Sequence, residues 1–210
     1  MAPDPNPHED PMLRITRTSL LAASLLGLCV GTAGAQGRHH GAGMNATLAA
    51  NPSVGGAAML PTRDIVDNAA ASPDHTTLVA AVSAAGLVPV LKGAGPFTVF
   101  APTNAAFAQL PAGTVETLLK PANKGALTSV LTYHVVAGKV DAASLVAAIR
   151  RGNGSATLTT VNGQTLTAEM NGARNVVLRD AKGNRIPIST YDVVQSNGII
   201  HVVEKVLLPN

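Results

Sequence analysis

The sequence has no tryptophan, three phenylalanines and two tyrosines, and only 13% of its residues are charged. So few aromatic rings cannot form a platform on which nucleic-acid bases stack. The formal net charge is +3, scattered along 210 residues, so no basic stripe marks a phosphate backbone as partner. Sparse charge beside 46% hydrophobic residues argues against wholesale disorder. Recognisable catalytic motifs are missing too: there is no G-x-S-x-G elbow, no phosphate-binding G-x-x-x-x-G-K-[ST] loop and no H-E-x-x-H zinc helix. The chain is therefore read as non-enzymatic. Cysteine occurs once, as Cys29, so no intrachain disulfide is possible.

What is present begins with an address. Arg14 and Arg17 precede an apolar run, Leu20 to Val30, which is followed by Ala33-Gly34-Ala35. A positive segment, a short apolar core and a small-x-small site make residues 1–35 a signal peptide. The run is too short for a membrane span, which needs about 20 residues. The acidic, proline-rich MAPDPNPHEDP ahead of it is unlike an n-region and points to Met12 as the true start. Leu28 stands where a lipoprotein signal needs a small residue before its cysteine, so no lipid anchor is expected to hold the protein after cleavage. The expected location is secreted or periplasmic. Cleavage one residue further on would expose Gly37-Arg38-His39, a donor set for square-planar copper. The main expectation remains no metal and no cofactor.

Residues 36–60 are rich in Gly, Ala, Asn and Pro and are expected to form a flexible linker. Residues 61–209 carry the pattern of one domain. Thr62 is a candidate cap for a helix bearing Ile65, Val66 and Ala69, and a second helix near Asp74 to Ala85 ends at Gly86. Pro89 opens a short helix, and Phe97 to Ala101 reads as a strand. Thr103 or Asn104 caps the next helical turn. Further helices are expected at Val115–Leu119, at Asn123–Leu131 and from the cap Asp141 to Arg151, closed by Gly152. The back half reads as strands. Asn162-Gly163 predicts a type I′ hairpin between Thr157–Val161 and Gln164–Met170, and the apolar run Ile199 to Leu208 predicts a central strand. Helices followed by hairpin-linked strands define an α+β domain.

Three segments then carry a family resemblance. Phe97-Thr98-Val99-Phe100-Ala101-Pro102-Thr103-Asn104 resembles the first signature of the fasciclin (FAS1) domain. Asn197-Gly198 and the run through His201 to Pro209 resemble the second, and Tyr133-His134 between them is similar to the family's tyrosine–histidine segment. The resemblance implies a β-sandwich wedge flanked by several short helices. It also implies an exported module that binds a cell-surface or matrix protein or polysaccharide. In some animal members an Asp-Ile pair before the second signature, and the Tyr-His segment, are proposed integrin-recognition elements. The matching positions here are Asp192-Val193 and Tyr133-His134, which become candidate partner-binding residues.

Each candidate also has a plain structural reading. Tyr133 and His134 stand at a helix-to-strand junction, where a hydroxyl and an imidazole can tie loop backbone. His201, inside an apolar strand, reads as a hydrogen-bonded core histidine, and Asp192 could anchor the turn at Asn197-Gly198. A rival function of another class is a carrier that holds a small apolar ligand between sheet and helices.

Overall fold

The computed structural model describes residues 51–210 except Arg174. The expected signal peptide, Cys29, the Gly37-Arg38-His39 segment and most of the expected linker lie outside the described residues. Among the described residues seven α-helices, two short 3-10 turns and seven strands follow, two of the strands set among the helices and five after the last helix. The helices are α1 (Ile65–Ala71), α2 (Thr76–Ala85), α3 (Val88–Leu91), α4 (Asn104–Ala108), α5 (Thr114–Leu118), α6 (Lys124–Tyr133) and α7 (Ala142–Arg151). The strands are β1 (Phe97–Pro102), β2 (Val135–Ala137), β3 (Ser155–Thr159), β4 (Thr165–Asn171), β5 (Asn175–Arg179), β6 (Arg185–Gln195) and β7 (Gly198–Val203).

The strands form one mixed sheet in the order β2-β1-β7-β6-β5-β4-β3. β1 and β7 run parallel, with Phe97 opposite Gly198 and Pro102 opposite Val203, and the other neighbours are antiparallel. β6 is the longest strand, and register shifts between Ile188 and Val193 bend it. Bulges of this kind increase local twist, and here they fold the two ends of the sheet toward each other. A bridge between Val136 and Thr160 then joins β2 to the end of β3, so the wedge is nearly a closed barrel.

Two apolar clusters sit on the two faces of the β1–β7 pair. Inside the wedge, Phe100, Tyr133, Leu166, Leu178, Ile186 and Val203 pack with Leu145 and Ile149 of α7. On the other face, Val99, Ile200 and Val202 pack against Ile65, Leu78, Val82 and Leu131 of the helical layer. Both faces of β1 and β7 are covered, which explains why these strands read as continuous apolar runs without alternation. The expected centrality of the last strand is found, although the strand stops at Val203. Glu204 and Lys205 turn outward, and Leu207 re-enters the core.

Several local expectations change. The linker does not extend to residue 60: Val54 and Met59 are buried, and the Asn51 side chain accepts from Val194 N at 2.9 Å and donates to Val194 O. Side-chain amides there do the work of a strand partner along β6. Asp64 rather than Thr62 caps α1, accepting from Asp67 N at 2.8 Å. Thr103 caps α4 as expected. The hairpin at Asn162-Gly163 is not type I′, since only Gly163 has positive φ (+85°). Its Gly163 N→Thr160 O bond closes a type I turn followed by a left-handed glycine, the three-residue alternative. Gly152 ends α7 without a left-handed conformation. It is required because a Cβ there would strike Ser155 O, while Asn153 next to it takes φ +54°.

Candidate functional site

The residues singled out by sequence occupy two neighbouring regions of the wedge. At the end of α6, Tyr133 points into the core and is fully buried. Its Oη donates to Thr165 O at 2.8 Å and accepts from Ala181 N at 2.9 Å, linking α6 to β4 and to the β5–β6 turn. Burial pushes the Tyr133 phenol above its usual pKa. His134 follows as the C-cap of α6 and is 2% exposed. Its Nε2 accepts from Leu207 N at 3.0 Å, so Nδ1 carries the proton and donates to Val130 O at 2.8 Å. Loss of solvation drives this imidazole's pKa down to about 4, and it stays neutral at physiological pH.

The second region centres on His201, buried in β7. Its Nε2 donates to Val140 O at 2.8 Å and its Nδ1 accepts from Asp192 N at 3.3 Å, the opposite tautomer from that of His134. The ring stacks on Phe100, with centroids 5.7 Å apart. Burial lowers its pKa as well. Asp192 sits on the bent part of β6 with φ +57°, a left-handed conformation that Asp tolerates better than most residues. Its Oδ1 accepts from Ala142 N at 2.8 Å, at the first turn of α7. The turn at Asn197-Gly198 is held by other groups.

Asn197 is the hub of that turn. Its Oδ1 accepts from Ile65 N at 3.1 Å, and its Nδ2 donates to Leu91 O at 2.7 Å and to Gly93 O. Gly198 must lack a side chain, because a Cβ would strike Phe97 O on the parallel neighbour β1. Within the first signature, Thr98 Oγ1 accepts from Val140 N and donates to Gly138 O, and Asn104 ties α4 to Pro73, Thr76 and Thr77. The signature residues thus fasten loops to the sheet.

The structure therefore corrects part of the candidate set. Tyr133, His134 and Val193 are 0%, 2% and 0% exposed, so none of them presents a surface to a partner; their atoms are committed to the frame. Asp192 alone remains half-exposed. The two pairs are not brought together into one contact patch. The sequence also marks Asp180 to Asn184 as a turn, but not the burial of Asp180, which is 4% exposed, nor its hold on the chain end. Its carboxylate accepts from Lys182 N, Asn184 N and Leu208 N, so it shapes the β5–β6 turn and pins the chain end. The Asp-x-x-Gly-Asn spacing of a turn was its only sequence signal. Among the described residues no three His, Cys, Asp or Glu side chains converge as metal ligands, and no helix is long and apolar enough to cross a membrane.

Comparison with known proteins places this geometry. A family model described as the Fasciclin domain matches residues 73–209. Protein sll1483 of Synechocystis sp. is 47% identical over 145 residues, which cover 69% of this chain and 73% of the relative. Immunogenic protein MPB70 of Mycobacterium bovis is 36% identical over 208 residues, covering 93% of this chain and 96% of the relative. Among solved structures, the FAS1 domain pair from the insect cell adhesion molecule Fasciclin I superposes with a TM-score of 0.61 at 20% identity. The match covers 70% of this chain and about half (51%) of that one.

Proposed function

The chain belongs to the fasciclin domain family, and from that premise we propose that it is an exported, non-catalytic adhesion or interaction module. Its partner is a protein or polysaccharide of a cell surface or matrix. The observation that carries this reading is where the polar side chains of the frame are spent. Tyr133, His134, His201 and Asp180 each bond backbone groups of their own fold. Recognition is then left to the surface that this rigid frame displays. The insect relative of like fold is named as a cell adhesion molecule, which supports the same class.

Within that surface, Asp192 is the candidate contact. One carboxylate oxygen accepts from Ala142 N at the start of α7, and the half-exposed group can offer the other to a cation or a donor on the partner. Asp192→Asn isolates this role. The amide oxygen can still accept from Ala142 N, and Asn also tolerates the left-handed backbone, so only the charge is lost. The test is saturable binding of the labelled full chain to cells and matrix of candidate partners. Loss of binding in Asp192→Asn, with an unchanged circular dichroism spectrum, places the contact at the carboxylate. Undiminished binding moves it to another face, and absence of saturable binding to every surface overturns the adhesion reading.

A further inference from the structure

On the face of β1 opposite the wedge interior, α1, α2 and α3 do not close completely against β1, β2 and the end of α6. They leave a recess of about 60 Å³ that opens to solvent. Sixteen residues line it, and none is charged. Ile65, Ala69, Val79, Val82, Leu91 and Val99 are typical of the wall.

Only Thr132 and His134 bring polar side-chain atoms to this lining, and both have spent them. Thr132 Oγ1 donates to Thr128 O at 2.7 Å, and the two nitrogens of His134 are bonded to Val130 O and Leu207 N. The side-chain donors at the lining are therefore taken, and a polar group drawn into the recess would recover little of the hydrogen bonding it leaves in water. What enters must be hydrocarbon. The mouth supports the same conclusion. Among the described residues only three large hydrophobic side chains are exposed, and two of them, Val90 (54%) and Val161 (47%), belong to this recess. Single exposed aliphatics need no explanation, but two converging on one apolar opening form an entrance.

Shape and charge narrow the guest further. The small volume of the recess suits an unbranched chain better than a bulky ring system. Beside it, Lys124 Nζ lies 3.4 Å from where a Cβ on Gly86 would stand, next in sequence to the lining residue Leu87. Lys124 takes part in none of the ion pairs among the described residues. We propose that this recess binds the alkyl chain of a free fatty acid, with its carboxylate left in water on the Lys124 side. This inference is independent of the adhesion reading, because the recess lies on a different face from Asp192.

The test is titration of the full chain with saturated fatty acids of eight to sixteen carbons, each kept below its micelle concentration, with calorimetric detection. Affinity is expected to rise about fourfold for each added methylene, the gain from burying one such group. It should then stop rising once the chain outgrows the recess. Val79→Trp, which fills the slot from a half-buried position, should weaken binding by about tenfold or more. If that variant does not fold, Val90→Asp replaces it, since Val90 is exposed at the rim, outside the buried core, and a charge there should also weaken binding. Lys124→Gln should weaken the fatty acid and not the alkanol of equal length. The proposal is overturned if no chain length saturates, or if affinity climbs without a plateau and ignores Val79→Trp and Val90→Asp, which is adsorption elsewhere on the chain. An alkanol that binds as tightly as the acid overturns the assignment of the carboxylate.

Discussion

Tyr133 shows how much of this fold rests on single buried polar atoms. Its hydroxyl serves Thr165 O and Ala181 N at once, joining the end of α6 to β4 and to the β5–β6 turn. Tyr133→Phe keeps the ring's packing and strands both, so it should cost about 1–3 kcal/mol in urea-induced unfolding. His134 and His201 follow the same logic with rings instead of hydroxyls. A neutral imidazole has one donor and one acceptor on opposite sides, and each of these bridges two backbone segments with no spare capacity. The Tyr-His pair was visible in the sequence, where tying loop backbone stood beside partner contact as a reading, and burial decides for the first. A polar residue between a helix and a strand has the same appearance whether it faces inward or outward.

At the scale of elements, α7 is the clearest case of sequence and structure agreeing. Asp141 accepts from Ser144 N at 2.7 Å as its cap, and Leu145 and Ile149, one turn apart, are fully buried against β3 and β4. Arg150 and Arg151 close the helix on its negative end. Leu145→Ala should therefore destabilise the domain by about 2–5 kcal/mol in chemical denaturation, in proportion to the cavity that remains. The strands were less legible. β2 is only three residues long, and its place beside β1 depends on Phe97 finding Ala137 across some forty residues of helix. The parallel β1–β7 pair likewise joins residues about a hundred positions apart. Periodicity in a short window carries no trace of such partners.

For the whole molecule, three buried histidines make stability depend on pH. Burial lowers the pKa of His75, His134 and His201 alike, and takes His134 from 6.5 to about 4. Protons then bind the unfolded chain before the folded one. The stabilisation is present in full above about pH 6.5, falls as the pH drops, and is exhausted for His134 below about 4. The shift at His134 corresponds to a loss on the order of 3 kcal/mol across that window. Urea midpoints measured at pH 7, 5.5 and 4 should decline monotonically, and His134→Gln should flatten part of the slope. A midpoint that holds steady from pH 7 to 4 would contradict the buried neutral state of these rings.

The sequence by itself determined what depends on near neighbours and on composition. The class of the domain, the helix at 142–151 with its cap, the turn at Thr103 and the double-faced burial of the last strand all follow from residues within a few positions of one another. The family was also legible, because its signatures are the contiguous segments that tie loops to β1 and β7. Tertiary structure decided everything that needs a distant partner. It set the side to which Tyr133 and His134 turn, gave Asp192 a backbone partner in Ala142 fifty residues upstream, and strapped Asn51 to Val194. It also decided that α1 to α3 close incompletely over β1, leaving a recess lined by residues from six elements. The reason is physical. A hydrogen bond or a void belongs to two or more pieces of chain at once, and no one of them records what the others will supply.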